Sequence, residues 1–315
     1  MIVDILQITA GLGVLYFGGE WLVRGACLLA QRLGVSPLVV GVTIVAAGTS
    51  MPELVVSLHA AIVGENDISL GNVIGSNICN IGLILGLAAL LKPIDSSPAM
   101  TRIHTPIMIG VSLLLMGMMV DGTLDRIDGM ILLVGIINYT VYALWESKRH
   151  SLQIAPELEV DLAPGKGIGH ALLLISAGFG LLFVGANLLV GAAVSVATAA
   201  GVSEAFIGLT IVAVGTSLPE LTTSVVAAIR NQGDIAVGNI VGSNIFNILG
   251  ILGITAAIEP LARGGITWID QLSMLAAALI LFALLLLIKR LGKGSGAVML
   301  GGYIGYMMWL TAGAV

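Results

Sequence analysis

Residues 41–93 recur as residues 208–260. A shift of 167 positions overlays the two segments without a gap, and 30 of their 53 positions are identical. Chance does not produce such agreement, so the chain is an internal duplication whose two halves must fold as copies of one another. Hydropathy limits what those copies can be. Hydrophobic residues make up 57% of the 315 and charged residues only 10%, against roughly 25% charged in soluble domains. A soluble fold cannot hide that much apolar surface, whereas a bilayer can. The 42 glycines fit the same setting, because small residues let helices approach closely in membranes.

Ten hydrophobic spans are expected, near residues 3–31, 36–63, 68–91, 103–120, 127–146, 168–199, 204–229, 235–258, 266–288 and 297–315. All should be helical, since a lipid-facing backbone must satisfy its own hydrogen bonds. The first and sixth exceed the ~20 residues a hydrocarbon core requires and are predicted to tilt. Each half holds five spans. An odd number makes the second copy enter the membrane from the opposite side. The predicted architecture is therefore an all-α membrane protein of ten transmembrane helices in two inverted five-helix repeats, with helices 2, 3, 7 and 8 broken. The repeats are residues 1–146 and 168–315. A polar linker, 147–167, carries Pro156, Glu157, Glu159, Asp161 and Pro164.

Charge placement sets the orientation. With the N-terminus outside, eleven Lys and Arg fall inside and two, Arg126 and Arg263, outside. That bias predicts a multi-pass cell-membrane protein with both termini outside and the linker in the cytoplasm. The opening residues, with Asp4 and no basic run, do not read as a cleaved signal peptide. Trp21, Trp145, Trp268 and Trp309 lie near span ends or in the outer thirds of spans, as interfacial anchors do. Cys27 and Cys79 sit in apolar runs and suggest neither a disulfide nor a metal site.

The duplicated residues include polar ones in mid-span. Gly48-Thr49-Ser50-Met51-Pro52-Glu53 matches Gly215-Thr216-Ser217-Leu218-Pro219-Glu220. Proline removes a backbone donor and clashes with the preceding turn, so a break is expected that frees carbonyls near Ala46 and Ala213. Thr49 and Ser50 precede Glu53 by four and three positions, which places hydroxyls and carboxylate on one face of a continuous helix. A second pair of stripes, Asn72, Ser76 and Asn80 with Asn239, Ser243 and Asn247, follows at spacings of four. Asn77 lies off that face and is expected to bond broken backbone instead. A carboxylate at the bilayer centre costs at least ~2.5–3.5 kcal/mol. No basic residue lies near either glutamate in these spans, so bound cations are the natural countercharge. Every donor atom is oxygen, which suits hard cations such as Ca²⁺ and Na⁺. Two carboxylates balance one Ca²⁺ or two Na⁺. Gly, Pro, Ser and Asn can also serve kinks and packing alone, but two copies that each place a glutamate in mid-membrane argue against that reading.

These segments resemble the α-repeats of the calcium/cation antiporter superfamily, nearest to its prokaryotic sodium/calcium exchanger branch. The resemblance covers essentially the whole chain. It implies a secondary antiporter working by alternating access, with the first and sixth helices sliding across the other eight. It implies that Glu53 and Glu220 bind Ca²⁺ and Na⁺ competitively. Thr49, Ser50, Ser76 and Asn80 would complete one half of the site, Thr216, Ser217, Ser243 and Asn247 the other, and the carbonyls of Ala46 and Ala213 would bind Na⁺. Some members carry Asp where this chain has Asn247, which makes K⁺ co-transport less expected here. Proton/calcium exchange on the same fold is the alternative. No cofactor, nucleic acid or obligatory protein partner is implied; the partners are the two ions and the lipid bilayer.

Other classes fit less well. A passive channel would also use polar stripes, but channels usually repeat about an axis normal to the membrane. An enzyme would need a nucleophile–base pair or a His-rich metal site, and neither is present in the pattern. Glu20 and Arg24, spaced i, i+4, read as a structural ion pair. His59 and Cys79 read as a polar contact and a packing residue.

Overall fold

The computed structural model describes residues 2–150, 167–199, 213–288 and 290–313. They form α1 (Ile2–Leu33), α2 (Pro37–Thr49), α3 (Met51–Ile62), α4 (Asn66–Leu91), α5 (Met100–Asp121), α6 (Arg126–His150), α7 (Ile168–Ala199), α8 (Ala213–Thr216), α9 (Leu218–Ile229), α10 (Gly233–Ile258), α11 (Trp268–Ile288) and α12 (Lys293–Gly313). Four short strands, β1 (Ile94–Asp95), β2 (Thr123–Leu124), β3 (Leu261–Ala262) and β4 (Arg290–Leu291), complete the described chain. Among the described residues seven helices are long and apolar enough to cross a membrane, or eight if the bent pair α2–α3 is one span. Trp21, Trp145, Trp268 and Trp309 are all exposed, as interfacial anchors require.

The two 32-residue helices α1 and α7 pack antiparallel along small residues. A Cβ built on Gly11, Gly18 or Gly25 would lie 3.1, 3.1 or 3.0 Å from the carbonyl oxygens of Gly185, Gly178 and Ala171 in turn. Ascending positions on α1 thus meet descending positions on α7 at seven-residue intervals. These contacts are backbone to backbone and leave no room for a side chain. Gly178→Ala is expected to destabilise the protein by roughly 1–3 kcal/mol, because its Cβ would sit 2.7 Å from the Leu22 amide nitrogen. Gly180→Ala, with nothing within 4 Å, is the control. Thermal unfolding in detergent should separate the two variants; equal melting temperatures would refute this packing.

The G-T-S-x-P-E segments break as their prolines predict. α2 and α3 meet at a 46° bend. Ser50 at the bend has φ −85° and ψ 10°, and Ser217, between α8 and α9, has φ −89° and ψ 6°. Pro52 and Pro219 stand in the first turns of α3 and α9, where a missing amide proton costs nothing.

Helices 3 and 8 of the expected set are different. They were expected to be broken, yet α4 and α10 run continuously through their G-S-N-I-x-N segments. Each carries instead a π-helical stretch, Asn80–Leu85 and Asn247–Leu252. Neither helix contains proline, so the backbone keeps its donors and widens by one residue rather than breaking. α4 and α10 are also the most enclosed helices: 78% and 83% of their most apolar stretches are buried, against 22% for α6. α6 continues to His150, past the expected span end at residue 146. Residues 151–166, and residues 204–212 of the expected seventh span, lie outside the described residues.

Two antiparallel ribbons tie the halves together. β1 pairs with β4 through Ile94↔Leu291 and Asp95↔Arg290, and β2 with β3 through Leu124↔Leu261 and Thr123↔Ala262. The 167-residue shift carries each pairing into the other. The two ribbons are thus counterparts of one another, each joining one half to the other.

Candidate functional site

The two breaks lie side by side with α4 and α10. Glu53 and Glu220 fall in the first turns of α3 and α9, each 1% exposed. The break thus gives each carboxylate a helix N-terminus, whose unpaired amides favour negative charge. The hydroxyls do not serve the carboxylate of their own motif. Ser50 Oγ donates to Glu220 Oε1 at 3.0 Å, and Ser217 Oγ donates to Glu53 Oε1 at 3.2 Å. The single-face expectation assumed a continuous helix; the bend at Ser50 and Ser217 turns each hydroxyl toward the other half. Thr49 lies beside Glu220 and Thr216 beside Glu53.

The amides of α4 and α10 hold the broken segments in place. Asn72 Nδ2 donates to the Glu53 carbonyl at 3.1 Å and to Ser57 Oγ at 2.8 Å. Asn239 Nδ2 makes the matching bonds to the Glu220 carbonyl at 3.4 Å and Ser224 Oγ at 3.1 Å. The Ala46 carbonyl is not freed by the break as expected. It accepts from the Ser50 amide at 3.1 Å, and the hydroxyls of Thr49 and Ser243 stand 3.2 and 3.4 Å from it. The reason is that the chain after Ala46 keeps one more helical turn before bending. Ala213, its counterpart, opens α8. Ser76 is buried on α4.

Four asparagines join α4 of one half to α10 of the other. Asn77 Nδ2 donates to the Asn244 carbonyl at 3.2 Å, and Asn244 Nδ2 to the Asn77 carbonyl at 3.1 Å. Asn80 Nδ2 donates to Asn244 Oδ1 at 3.0 Å, and Asn247 Nδ2 to Asn77 Oδ1 at 3.0 Å. Asn77 was expected to bond broken backbone; it bonds a main-chain carbonyl, but one that lies within the continuous helix α10. Its link to Asn247 joins residues of different halves, which helical spacing within one half cannot indicate.

After these bonds, four buried oxygens of the site have no donor: Glu53 Oε2, Glu220 Oε2, Asn80 Oδ1 and Asn247 Oδ1. They come two from each half and are equivalent under the 167-residue shift. Buried acceptors are ordinarily satisfied, so four orphans in symmetric positions, two of them on carboxylates, mark a place suited to a cation. Among the described residues no three His, Cys, Asp or Glu cluster to hold a metal. The donor set is thus two carboxylates among neutral oxygens, a hard-ion set.

One further polar group joins two helices nearby. Glu20, buried on α1, pairs with Arg24 Nε at 2.6 Å as its spacing predicts. It also takes a two-pronged contact from Arg230 at the end of α9, Nε to Oε2 at 2.7 Å and Nη2 to Oε1 at 2.6 Å. That partner lies too far along the chain for spacing to indicate.

Known proteins are similar to this chain over nearly its whole length. The sequence profile of the family described as "Sodium/calcium exchanger protein" matches residues 3–145 and 170–312. The inner membrane protein YrbG of Escherichia coli (strain K12) is 34% identical, over 99% of this chain and 97% of its own. The sodium/calcium exchanger MaX1 of Methanosarcina acetivorans is 30% identical, over 98% of both chains. A solved structure of the sodium-calcium exchanger NCX_Mj, soaked with Na⁺ and Ca²⁺, superposes with a TM-score of 0.84 at 32% identity, covering 98% of each chain. The chain belongs to the sodium/calcium exchanger protein family.

Proposed function

We propose that this protein is a secondary antiporter that exchanges Na⁺ for Ca²⁺ across a cell membrane by alternating access at one midplane site. The observation that carries the reading is the quartet of donorless buried oxygens on Glu53, Glu220, Asn80 and Asn247. Thr49, Ser50, Ser76, Thr216, Ser217 and Ser243 complete the ion site, and the carbonyls of Ala46 and Ala213 join it for Na⁺, the Ala46 oxygen by exchanging its contacts with the Thr49 and Ser243 hydroxyls for the ion. Either one Ca²⁺ or two Na⁺ neutralises the two carboxylates, so the same oxygens accept either load in turn. The protein comprises ten helices in two inverted five-helix repeats, 1–146 and 168–315, with both termini outside. The antiparallel packing of α1 on α7 supports the inversion, because these helices begin the two halves.

Unequal packing at the two ends of the site supports alternating access. α1 closes on α9: a Cβ on Gly19 would lie 3.1 Å from Thr222 Cγ2 and Val226 Cγ2, and Val226 is 4% exposed. The pseudo-equivalent contact would set α7 on Val55 and His59 of α3 and on Val63 just after it. Those residues are uncovered, the two valines 66% and 56% exposed. The two pseudo-equivalent faces are therefore packed unequally, α1 closed on α9 and α3 left uncovered. The basic-residue map supports a cytoplasmic position for the packed face, marked by Arg230.

The two glutamate oxygens would be satisfied by protons as well as by Na⁺, so proton/calcium exchange is the competing outcome. Reconstituted vesicles loaded with Na⁺ should accumulate ⁴⁵Ca²⁺ when diluted into Na⁺-free medium, and should not do so under an imposed pH gradient alone. Uptake driven by the pH gradient without Na⁺ would overturn sodium coupling. Flux with no counter-ion would make the protein a channel.

A further inference from the structure

The orientation of a side-chain amide is fixed when its partners can only accept or only donate. The asparagine belt between α4 and α10 meets that condition at both ends. A main-chain carbonyl only accepts, so the group of Asn77 that meets the Asn244 carbonyl at 3.2 Å must be its NH₂. The Asn77 oxygen then faces away from that carbonyl, 3.0 Å from the amide of Asn247. Only an NH₂ can meet it there. The Asn247 oxygen is thereby left as the group without a donor. The same chain of constraint runs from the Asn77 carbonyl through Asn244 to Asn80, whose oxygen is likewise donorless. All four residues are buried, with at most 2% exposure, so water does not compete for these bonds.

We propose that Asn77 and Asn244 are positioning residues that hold the Asn247 and Asn80 amides with oxygen, not NH₂, toward the transported ion, and thereby set the preference for Ca²⁺ over Na⁺. This rests on the exchange reading above and adds two residues to it. The effect on selectivity follows from charge. The interaction of an amide dipole with an ion scales with the ion's charge, so a misoriented amide penalises Ca²⁺ about twice as much in free energy as Na⁺. A carboxylate at position 247 would face the Asn77 oxygen and could keep the belt intact only by carrying a proton. An amide at that position keeps the belt intact without one.

The test is Asn77→Ala, which removes the acceptor that orients Asn247. Purified protein in detergent is titrated with CaCl₂ and, separately, with NaCl, and ⁴⁵Ca²⁺ uptake is measured in parallel. The expected result is a Ca²⁺ affinity about tenfold lower and a Na⁺ affinity about threefold lower. In the Asn247→Ala background, Asn77→Ala should add nothing, because the residue acts through Asn247. Unchanged affinities would overturn the proposal. So would an equal fractional loss for both ions, or full additivity in the double variant. Asn77→Ser carries the same comparison if Asn77→Ala does not fold. Misfolding of both while Asn247→Ala folds would make the belt purely structural and also overturn the proposal. Failure of the exchange reading would show separately, as absent sodium-driven uptake by the unsubstituted protein.

Discussion

Glu53→Gln and Glu220→Gln are each expected to lower sodium-driven Ca²⁺ uptake by at least about 100-fold in a protein that still folds. Glutamine keeps the shape of the side chain and an oxygen that can accept from Ser217 or Ser50, so the crossed bonds between the halves survive. What is lost is one of two negative charges in a site that excludes water. Two unit charges ~4 Å apart interact by about 4 kcal/mol at an effective dielectric of ~20, and every 1.4 kcal/mol is tenfold. The loss for Ca²⁺ should exceed that for Na⁺, because the divalent ion loses twice the attraction. The pseudo-two-fold relation makes a second demand: the two substitutions should be similarly severe. Elution as a single folded species by size-exclusion chromatography is the control. Uptake within threefold of the unsubstituted protein in either variant would remove that glutamate from the ion site.

The chemistry of the site was more legible in the chain than its wiring. Duplication, mid-span glutamates and the prolines beside them are local features, and the structure places Glu53 and Glu220 together at two breaks as those features imply. The hydroxyl partners were misassigned because the i, i+3 and i, i+4 rules hold only while the helix continues. Ser50 and Ser217 are the residues at which it stops. The π-helical stretches that begin at Asn80 and Asn247 have no residue signature, and the breaks expected in α4 and α10 had no proline behind them, unlike those beside Pro52 and Pro219. Asn77 was set aside because it leaves the stripe of Asn72, Ser76 and Asn80. In the fold that departure is what brings it to Asn247 of the other half. Contacts between halves become visible only once the two-fold relation is given geometry.

Arg230→Ala is expected to open the packed end of the site and shift the protein toward its opposite-facing state by about tenfold. The reason lies in an asymmetry of the duplication. Under the 167-residue shift Glu20 corresponds to Asn187 and Arg230 to Val63. If the second state forms by exchanging the packing of the two halves, α7 closes on α3 and brings Asn187 toward Val63, where no ion pair can form. The contact of Arg230 with Glu20 therefore stabilises one state alone. Removing one partner of a buried pair costs ~3–5 kcal/mol. Arg230 is 46% exposed and Arg24 still reaches Glu20, so a smaller effect, on the order of 1.4 kcal/mol or tenfold, is expected. A cysteine introduced at Thr222, beneath Gly19 on the shut interface, reports the opening. Its reaction with a membrane-impermeant maleimide from the cytoplasmic face should be about tenfold faster in the Arg230→Ala background. Glu20→Gln should reproduce the gain, since it removes the same pairing from the other side. A rate unchanged in both backgrounds would show that glycine packing alone holds the end shut, and acceleration only from the outer face would reverse the orientation inferred from the basic residues.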